Sequence, residues 1–274
     1  MQKSMTVAAL VCLSLVILAL SLGGERKMEI VVRDVGQGDS ISIYDENGNL
    51  LIIDGGPSNE LVNTSFLKVP SFRCFVSGIL LTHPDTDHVF GLSRLMELCE
   101  AGIVYYNNVE VFTSGNFSRF KELALASKSR GLLRGDEIKF GNFTLYILWP
   151  TPESLVTARK TAINEISICV LLDYKNFEML FTADINSGTQ NKLKLAEYAY
   201  VIEDGIDVYK VPHHGSKYSF DEEFLASLQP KTAVVSVGKN SYGHPSEEFV
   251  DYFEKTKTKL FRTDLEGSVS IKIR

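Results

Sequence analysis

The sequence predicts an α/β protein in which two β-sheets pack face to face with helices on their outer sides. Three observations carry this reading. Each half of the chain starts with strands at hairpin spacing and continues with strand–helix units. No period of 20–50 residues repeats, and no low-complexity linker divides the 274 residues. The composition, 45% hydrophobic and 23% charged, is that of an ordinary globular protein with a sizeable core.

The elements follow in order. Met28–Val35 reads as a strand, Gly36-Gln37-Gly38 as a turn, and Asp39–Tyr44 as a second strand. Asp45-Glu46-Asn47-Gly48-Asn49 is a hairpin turn of the Asn-Gly kind, leading to a third strand, Leu50-Leu51-Ile52-Ile53, which ends in Asp54-Gly55-Gly56. A buried strand at Ile79–Leu81 precedes a helix over Val89–Leu98, whose apolar residues recur at helical spacing. Strands near Gly102–Tyr105 and Val109–Thr113, a helix around Phe117–Ser129, and strands near Glu137–Phe140 and Thr144–Leu148 close the first half. The second half has strands at Ile166–Leu172 and Glu178–Thr182, then a helix at Gly188–Tyr198. A strand at Asp207–Val211, a helix at Asp221–Leu228 and a strand at Thr232–Val237 come next. A helix at Ser246–Lys255 and strands near Lys259–Arg262 and Ser268–Ile273 end the chain.

The amino terminus stands apart. Behind Lys3 lie eighteen residues, Met5–Leu22, without a charge, before Glu25-Arg26-Lys27 returns the chain to water. Residues 1–27 fit a signal peptide cleaved near Ser21 or Gly23, and equally an uncleaved membrane anchor, which leaves 28–274 as the working domain outside the cytoplasm. Cys12 lies inside this run. Of the other cysteines, Cys74, Cys99 and Cys169, the odd number argues against a full disulfide framework and leaves one Cys74–Cys99 bridge open. Cys169 reads as a small buried hydrophobe.

The richest chemistry lies in Thr82-His83-Pro84-Asp85-Thr86-Asp87-His88, where a strand ends and a helix begins. Two histidines and two aspartates in six residues repel or desolvate one another unless a cation holds them. Imidazole nitrogen and carboxylate oxygen form a ligand set for a divalent first-row metal, whereas a helix cap needs one such residue and not four. His83 and Asp85 can point the same way, while the adjacent Asp87 and His88 must diverge, so a second ion is the natural reading. Three further clusters join it: Thr182-Ala183-Asp184, Val211-Pro212-His213-His214-Gly215-Ser216, and Tyr242-Gly243-His244-Pro245. All five histidines of the chain fall in these motifs.

Together these residues resemble the metallo-β-lactamase superfamily, and most closely the hydrolase domain of the competence DNA-uptake channel (ComEC) family and its free-standing relatives. The resemblance runs from about Glu29 to Ile273. It also rests on Asp34-Val35-Gly36-Gln37-Gly38-Asp39-Ser40, Asp54-Gly55-Gly56 and Asn164-Glu165-Ile166-Ser167. It implies an αββα sandwich of two mixed sheets, with two divalent ions, Zn or Mn, at the edge between them. Carried over, His83 and Asp85 would bind one ion, and Asp87 and His88 the other. Asp184 would bridge them, and His214 would complete the second site. Asp87, His213 and His244 are the candidate catalytic residues. Asp39, Asp54, Asn164 and Ser216 would orient the ligands or contact substrate. This chain departs from most of the superfamily at Asp85, where histidine is usual, and at Asn164 and Ser167, which occupy the stretch of a further histidine. More oxygen donors make the site harder, which puts manganese beside zinc.

Paired divalent ions lower the pKa of a bound water from 15.7 towards about 7, so no serine or cysteine nucleophile is required. The first functional reading is therefore a metal-dependent phosphodiesterase or nuclease acting on DNA or another phosphodiester. A wall-bound phosphodiester such as a teichoic-acid headgroup, an ester, lactone or lactam, and a non-catalytic membrane-anchored binding protein are the alternatives. No protein partner is inferred. The net charge of −6 excludes a generally basic nucleic-acid binder. From Gly205 onward ten Lys/Arg face ten Asp/Glu, and Lys128, Arg130 and Arg134 form a compact basic cluster. If the leader directs export, a reporter enzyme active only in the cytoplasm and joined after Arg274 is expected to be silent. A fully active fusion would contradict that export.

Overall fold

A computed structural model of the protein describes residues 27–65, 74–109, 114–202 and 204–273. The leader up to residue 26 and residues 110–113, which hold most of the strand expected at Val109–Thr113, lie outside the described residues. Among the described residues no helix is long and apolar enough to cross a membrane.

Two seven-stranded sheets form the centre. The first runs, edge to edge, Val269–Ile273, Met28–Val32, Ile41–Tyr44, Leu50–Ile53, Gly78–Leu80, Val104–Tyr105 and Ser129–Arg130. Its first four strands are antiparallel and its last three join in parallel. The second sheet repeats the plan: Glu137–Phe140, Phe143–Trp149, Cys169–Tyr174 and Phe177–Phe181 are antiparallel, then Val208–Lys210, Thr232–Val235 and Lys259–Arg262 run parallel. The final strand, Val269–Ile273, crosses back to pair with Met28–Val32, so both ends of the described chain lie in the first sheet.

Strand alternation explains the layers. Met28, Ile30, Val32, Ile41, Ile43, Leu51 and Ile53 face Leu145, Ile147, Val170, Leu172, Met179 and Phe181 in a core between the sheets. The opposite face of the first sheet, with Ile52, Ile79 and Leu81, packs on Val89, Leu92, Leu95, Phe117 and Phe120 from two helices. The outer face of the second sheet buries Leu171, Leu180, Tyr209 and Val235 under Phe224, Leu225, Phe249 and Phe253. Three apolar seams between four layers give the αββα sandwich expected from the sequence.

Several elements differ from expectation; the strand expected at Ile166–Leu172 runs Cys169–Tyr174, with Ile166 closing the turn before it. The helix expected from Val89 begins at Thr86, directly after Asp85 in extended conformation, so Asp87 and His88 occupy its first turn. The next helix spans Gly115–Leu125, started by the Ser114 side chain accepting from Phe117 N, while Ser129–Arg130 leaves it to pair with Val104–Tyr105. The strand expected at Gly102–Tyr105 is shortened to Val104–Tyr105 behind a separate strand, Cys99–Ala101. The single helix expected over Gly188–Tyr198 is split into Ser187–Gln190 and a short turn, Leu195–Tyr198, where Lys194 takes a φ of 54° that no right-handed helix permits. Cys99–Ala101 pairs in parallel with Cys74–Val76, and a Cys74–Cys99 disulfide ties the two. Cys169 is free and buried, and burial raises its thiol pKa well above the usual value, as suits an inert core residue.

The helix Thr86–Leu98 is locked to the first sheet through three glycines. Gly55 N donates to His88 O at 2.7 Å and Gly91 N to Gly56 O at 3.0 Å. A Cβ on Gly91 would sit 1.9 Å from Gly55 O, so only glycine lets the backbones meet. Gly91→Ala is expected to destabilise the fold by about 1–3 kcal/mol in urea unfolding, despite alanine's better helix propensity. Unchanged stability would mean that this contact is soft.

Candidate metal centre

The ends of five strands converge at one edge of the sandwich, as open α/β sheets allow. Asp54 follows Leu50–Ile53, His83 follows Gly78–Leu80, Asp184 follows Phe177–Phe181, His213 and His214 follow Val208–Lys210, and Ser236 follows Thr232–Val235. The helix Thr86–Leu98 adds Asp87 and His88 from its first turn. Asp184 Oδ2 lies at the centre, 3.3 Å from His88 Nε2, 3.5 Å from His214 Nε2 and 3.9 Å from His213 Nε2. His214 Nε2 is also 3.5 Å from Asp87 Oδ2, and His83 Nε2 is 3.7 Å from Asp85 Oδ2.

Three of the imidazoles are tied back through Nδ1. His88 Nδ1 donates to Asp54 Oδ2 at 2.8 Å. His214 Nδ1 donates to Ser236 O at 2.9 Å. Thr82 Oγ1 donates to Asp54 Oδ2 at 2.6 Å, which leaves its lone pairs to accept from His83 Nδ1 at 3.0 Å. Each of these bonds puts the ring proton on Nδ1 and turns the Nε2 lone pair towards the centre. The Nε2 atoms of His83, His88 and His214, with Asp184 Oδ1, are buried and have no hydrogen-bond partner among the described residues. Ligand atoms of Asp87, His88, Asp184 and His214 all lie within 4.8 Å of one another, so this set fits a divalent cation in both geometry and donor chemistry.

Electrostatics points the same way. Burial lowers the His83 pKa to about 3, helped by the charge on His88, so this ring is neutral. Burial also opposes charge on His214, but Asp184 and the nearby carboxylates of Asp39 and Asp87 raise it to about 10. His88 is likewise raised well above its usual value, with Asp184 and Asp54 overcoming burial. Burial and the nearby Asp87 raise Asp85 to about 6. Buried carboxylates require positive charge, supplied by protons on His88 and His214 or by a metal on the same nitrogens, and the metal must displace those protons to bind.

Of the remaining candidates, His244 lies beside the centre, its ring 5.8 Å from that of His213. Gln37 Nε2 donates to His244 Nδ1 at 3.4 Å. Asp39 stands behind His214, with Oδ1 3.5 Å from its Nδ1. Ser216 is a buried turn residue whose N donates to His213 O at 2.9 Å. Asn164 sits in the turn Lys160–Ile166 and uses its carbonyl to hold Ser167; no hydrogen bond joins its side chain to the cluster among the described residues. His213 and His214 are adjacent in an irregular turn. Both have positive φ, 49° and 55°, in the tight turn Pro212–Gly215, and both rings reach the centre, His214 buried and His213 partly exposed.

Sequence reasoning missed three participants. Thr82 lies within the recognised motif, but its bridging role depends on Asp54 being opposite. Ser236 acts through its carbonyl, which no side-chain pattern announces. Lys210, a fully buried lysine with Nζ 2.9 Å from Asp39 Oδ2, could have been found as a lone charge inside the apolar run Val208–Val211.

Comparison with known proteins agrees with this geometry. The Metallo-beta-lactamase superfamily profile matches residues 33–239, and the chain belongs to that superfamily, a class of metal-dependent hydrolases. Among individual proteins, ComE operon protein 3 of Bacillus subtilis (strain 168) is 27% identical over 275 residues, covering 90% of this chain and 33% of that protein. Recombination protein 2 of Haemophilus influenzae is 26% identical, covering 87% of this chain and 28% of that protein. The chain thus spans about a third of the length of these competence-related relatives. Among solved structures, the metal-dependent hydrolase Tm1679 superposes with a TM-score of 0.60 at 16% identity, over 90% of this chain and 99% of that one. The metallo-beta-lactamase fold protein YhfI of Bacillus subtilis gives 0.59 at 11%, over 90% and 100%.

Asp54 holds His88 directly and His83 through Thr82, so Asp54→Asn tests the arrangement with little change of shape. Asparagine tolerates the φ of 56° found here, so the backbone is expected to stand. Metal affinity, read by chelator competition, is expected to fall about 10–100-fold. Affinity equal to wild type would show that the Nδ1 bonds do not orient the ligands.

Proposed function

We propose that the chain is a phosphodiesterase, with a nucleic-acid strand as its substrate, that uses two divalent ions, zinc or manganese. Asp87, His88 and His214 would hold one ion and His83 and Asp85 the other, with Asp184 shared between them. Bound there, the ions would acidify a water and polarise a phosphoryl oxygen. The observation that carries the reading is the convergence of buried, unpartnered Nε2 atoms around Asp184, beside a cavity of about 690 Å³ that Asp87 and His214 help to line.

The walls of that cavity suit an anion. His213, His244, Lys239 and Asn240 line it, and Asp87 and His214 form its base. Burial and the neighbouring His213 lower the His244 pKa to about 4, which leaves a neutral ring able to accept or donate one hydrogen bond. Gln37 donates to His244 Nδ1, so Nε2–H is the free donor. His213, with Nε2 3.9 Å from Asp184 Oδ2, is placed to bind a phosphoryl oxygen or pass a proton to the leaving oxygen. The chain's charge of −6 is no obstacle if the attraction is local to this cavity. The Cys74–Cys99 disulfide supports a site of action outside the reducing cytoplasm.

The reading is tested with bis-p-nitrophenyl phosphate, single-stranded DNA, a teichoic-acid-type glycerol phosphodiester and nitrocefin, each metal being restored in turn. Turnover of nitrocefin alone, or of the wall-type substrate but not DNA, would replace it. Variants divide the roles. Asp184→Asn is expected to lose dinuclear occupancy and turnover together. His214→Ala is expected to lower metal content, whereas His213→Ala keeps its metal and loses about 10²–10⁴-fold in rate. Elemental analysis showing the reverse for the two histidines would exchange their roles.

A further inference from the structure

We propose that Tyr242 is a stacking platform that makes the site read the planar ring next to the scissile phosphodiester. This inference rests on the phosphodiesterase reading and extends it to the base of a nucleic-acid strand.

Tyr242 lines the cavity of about 690 Å³ together with Asp87, His213, His214 and His244, and it is 74% exposed. Its ring stands 5.6 Å from that of His244 at an angle of 33°, and the His244 ring is 5.8 Å from His213. A row of rings therefore runs from solvent to the central carboxylate. Among the described residues the Tyr242 hydroxyl makes no hydrogen bond, so neither end of the side chain is used by the fold.

The loop that presents Tyr242 is built rather than slack. Asn240 Oδ1 accepts from Tyr242 N and His244 N, both at 3.0 Å, and Asn240 Nδ2 donates to Gly238 O and His244 O, both at 2.9 Å. Gln37 fastens the loop to the first sheet, with Oε1 accepting from Gly238 N at 3.2 Å. The Tyr242 backbone is thus held whatever its side chain, and the exposed ring is offered at a set distance from the centre. Lys239, exposed in the same loop, adds a positive charge for the flanking phosphate. An aromatic face beside a cation and a phosphate-sized cavity is the arrangement that tracks a single strand, because every base has a π-face. A polyol phosphodiester has no ring to meet it.

The test uses the full chain with metal restored and two fluorescent phosphorothioate single strands of equal length. One carries bases and the other only abasic sugars. Wild type is expected to prefer the base-bearing strand by about 5–150-fold, the range for one stacked base. Tyr242→Ala is expected to abolish the preference, with the loss falling on the base-bearing strand, while Tyr242→Phe and Tyr242→Trp keep it. The same fold and metal content in all three, by circular dichroism and elemental analysis, excludes collapse of the loop. Equal binding of both strands by wild type, no binding of either, or a preference retained in Tyr242→Ala overturns the proposal. Hydrolysis of bis-p-nitrophenyl phosphate separates the two readings. A chain that turns it over but ignores bases refutes the platform and keeps the phosphodiesterase. A chain that prefers bases without turnover does the opposite.

Discussion

The buried carboxylate of Asp54 is the constraint on which the candidate centre depends. It accepts from Thr82 N at 2.8 Å, from Thr82 Oγ1 at 2.6 Å and from His88 Nδ1 at 2.8 Å. One side chain at a strand end thereby sets the path of the His83 loop, the first turn of the helix Thr86–Leu98 and the tautomers of two imidazoles. Burial by itself pushes the Asp54 pKa up, and the bonds from His88 and Thr82 work against that rise. A buried acid left without such donors would be neutral and could not accept three bonds. The surrounding backbone is shaped to the same end: Asp54 has a positive φ, and Gly55 and Gly91 touch so that the helix is seated close enough for His88 to reach.

A second layer of charge holds the other half of the centre. Asp39 comes from the first sheet and Lys210 from the second, and they form a buried ion pair behind His214. Ser236 Oγ donates to Gly38 O at 2.6 Å, and a Cβ on Gly238 would meet the backbone of Gly36, so the loops of the two sheets are in contact at the centre itself. A buried ion pair costs desolvation and adds little stability when compared with apolar packing. Its value here is positional. It keeps a charged group beside His214, where an apolar pair would leave the imidazole free to turn.

The proposed activity asks an acidic chain to bind an anionic substrate. The net charge is a sum over the whole surface, while binding is decided in the cavity, where His213, His244, Lys239 and Asn240 converge and metal would add more positive charge. The competence-related relatives are about three times as long as the matched segment, so this chain corresponds to one module of such proteins.

Much of this was legible in the sequence, for definite reasons. Metal-ligand chemistry needs rare residue types, so five histidines confined to three motifs stood out, and the Thr82–His88 run carried its own interpretation. Alternating apolar strands separated by turn residues announced two sheets with helices outside, because burial on one or both faces leaves a period in the chain. What only the tertiary structure decided were the relations between segments far apart. Helix ends moved because the Ser114 cap, a left-handed Lys194 and the extended Asp85 ahead of Thr86 set boundaries that apolar periodicity does not record. His213 and His214 both reach the centre because a tight turn gives each a positive φ, a conformation that no residue pattern in the chain announces. Lys210, Thr82 and the Ser236 carbonyl gained their parts only when Asp39, Asp54 and His214 were brought opposite them. Sequence records which side chains can coordinate or bond; the fold alone determines which lone pairs face the same point.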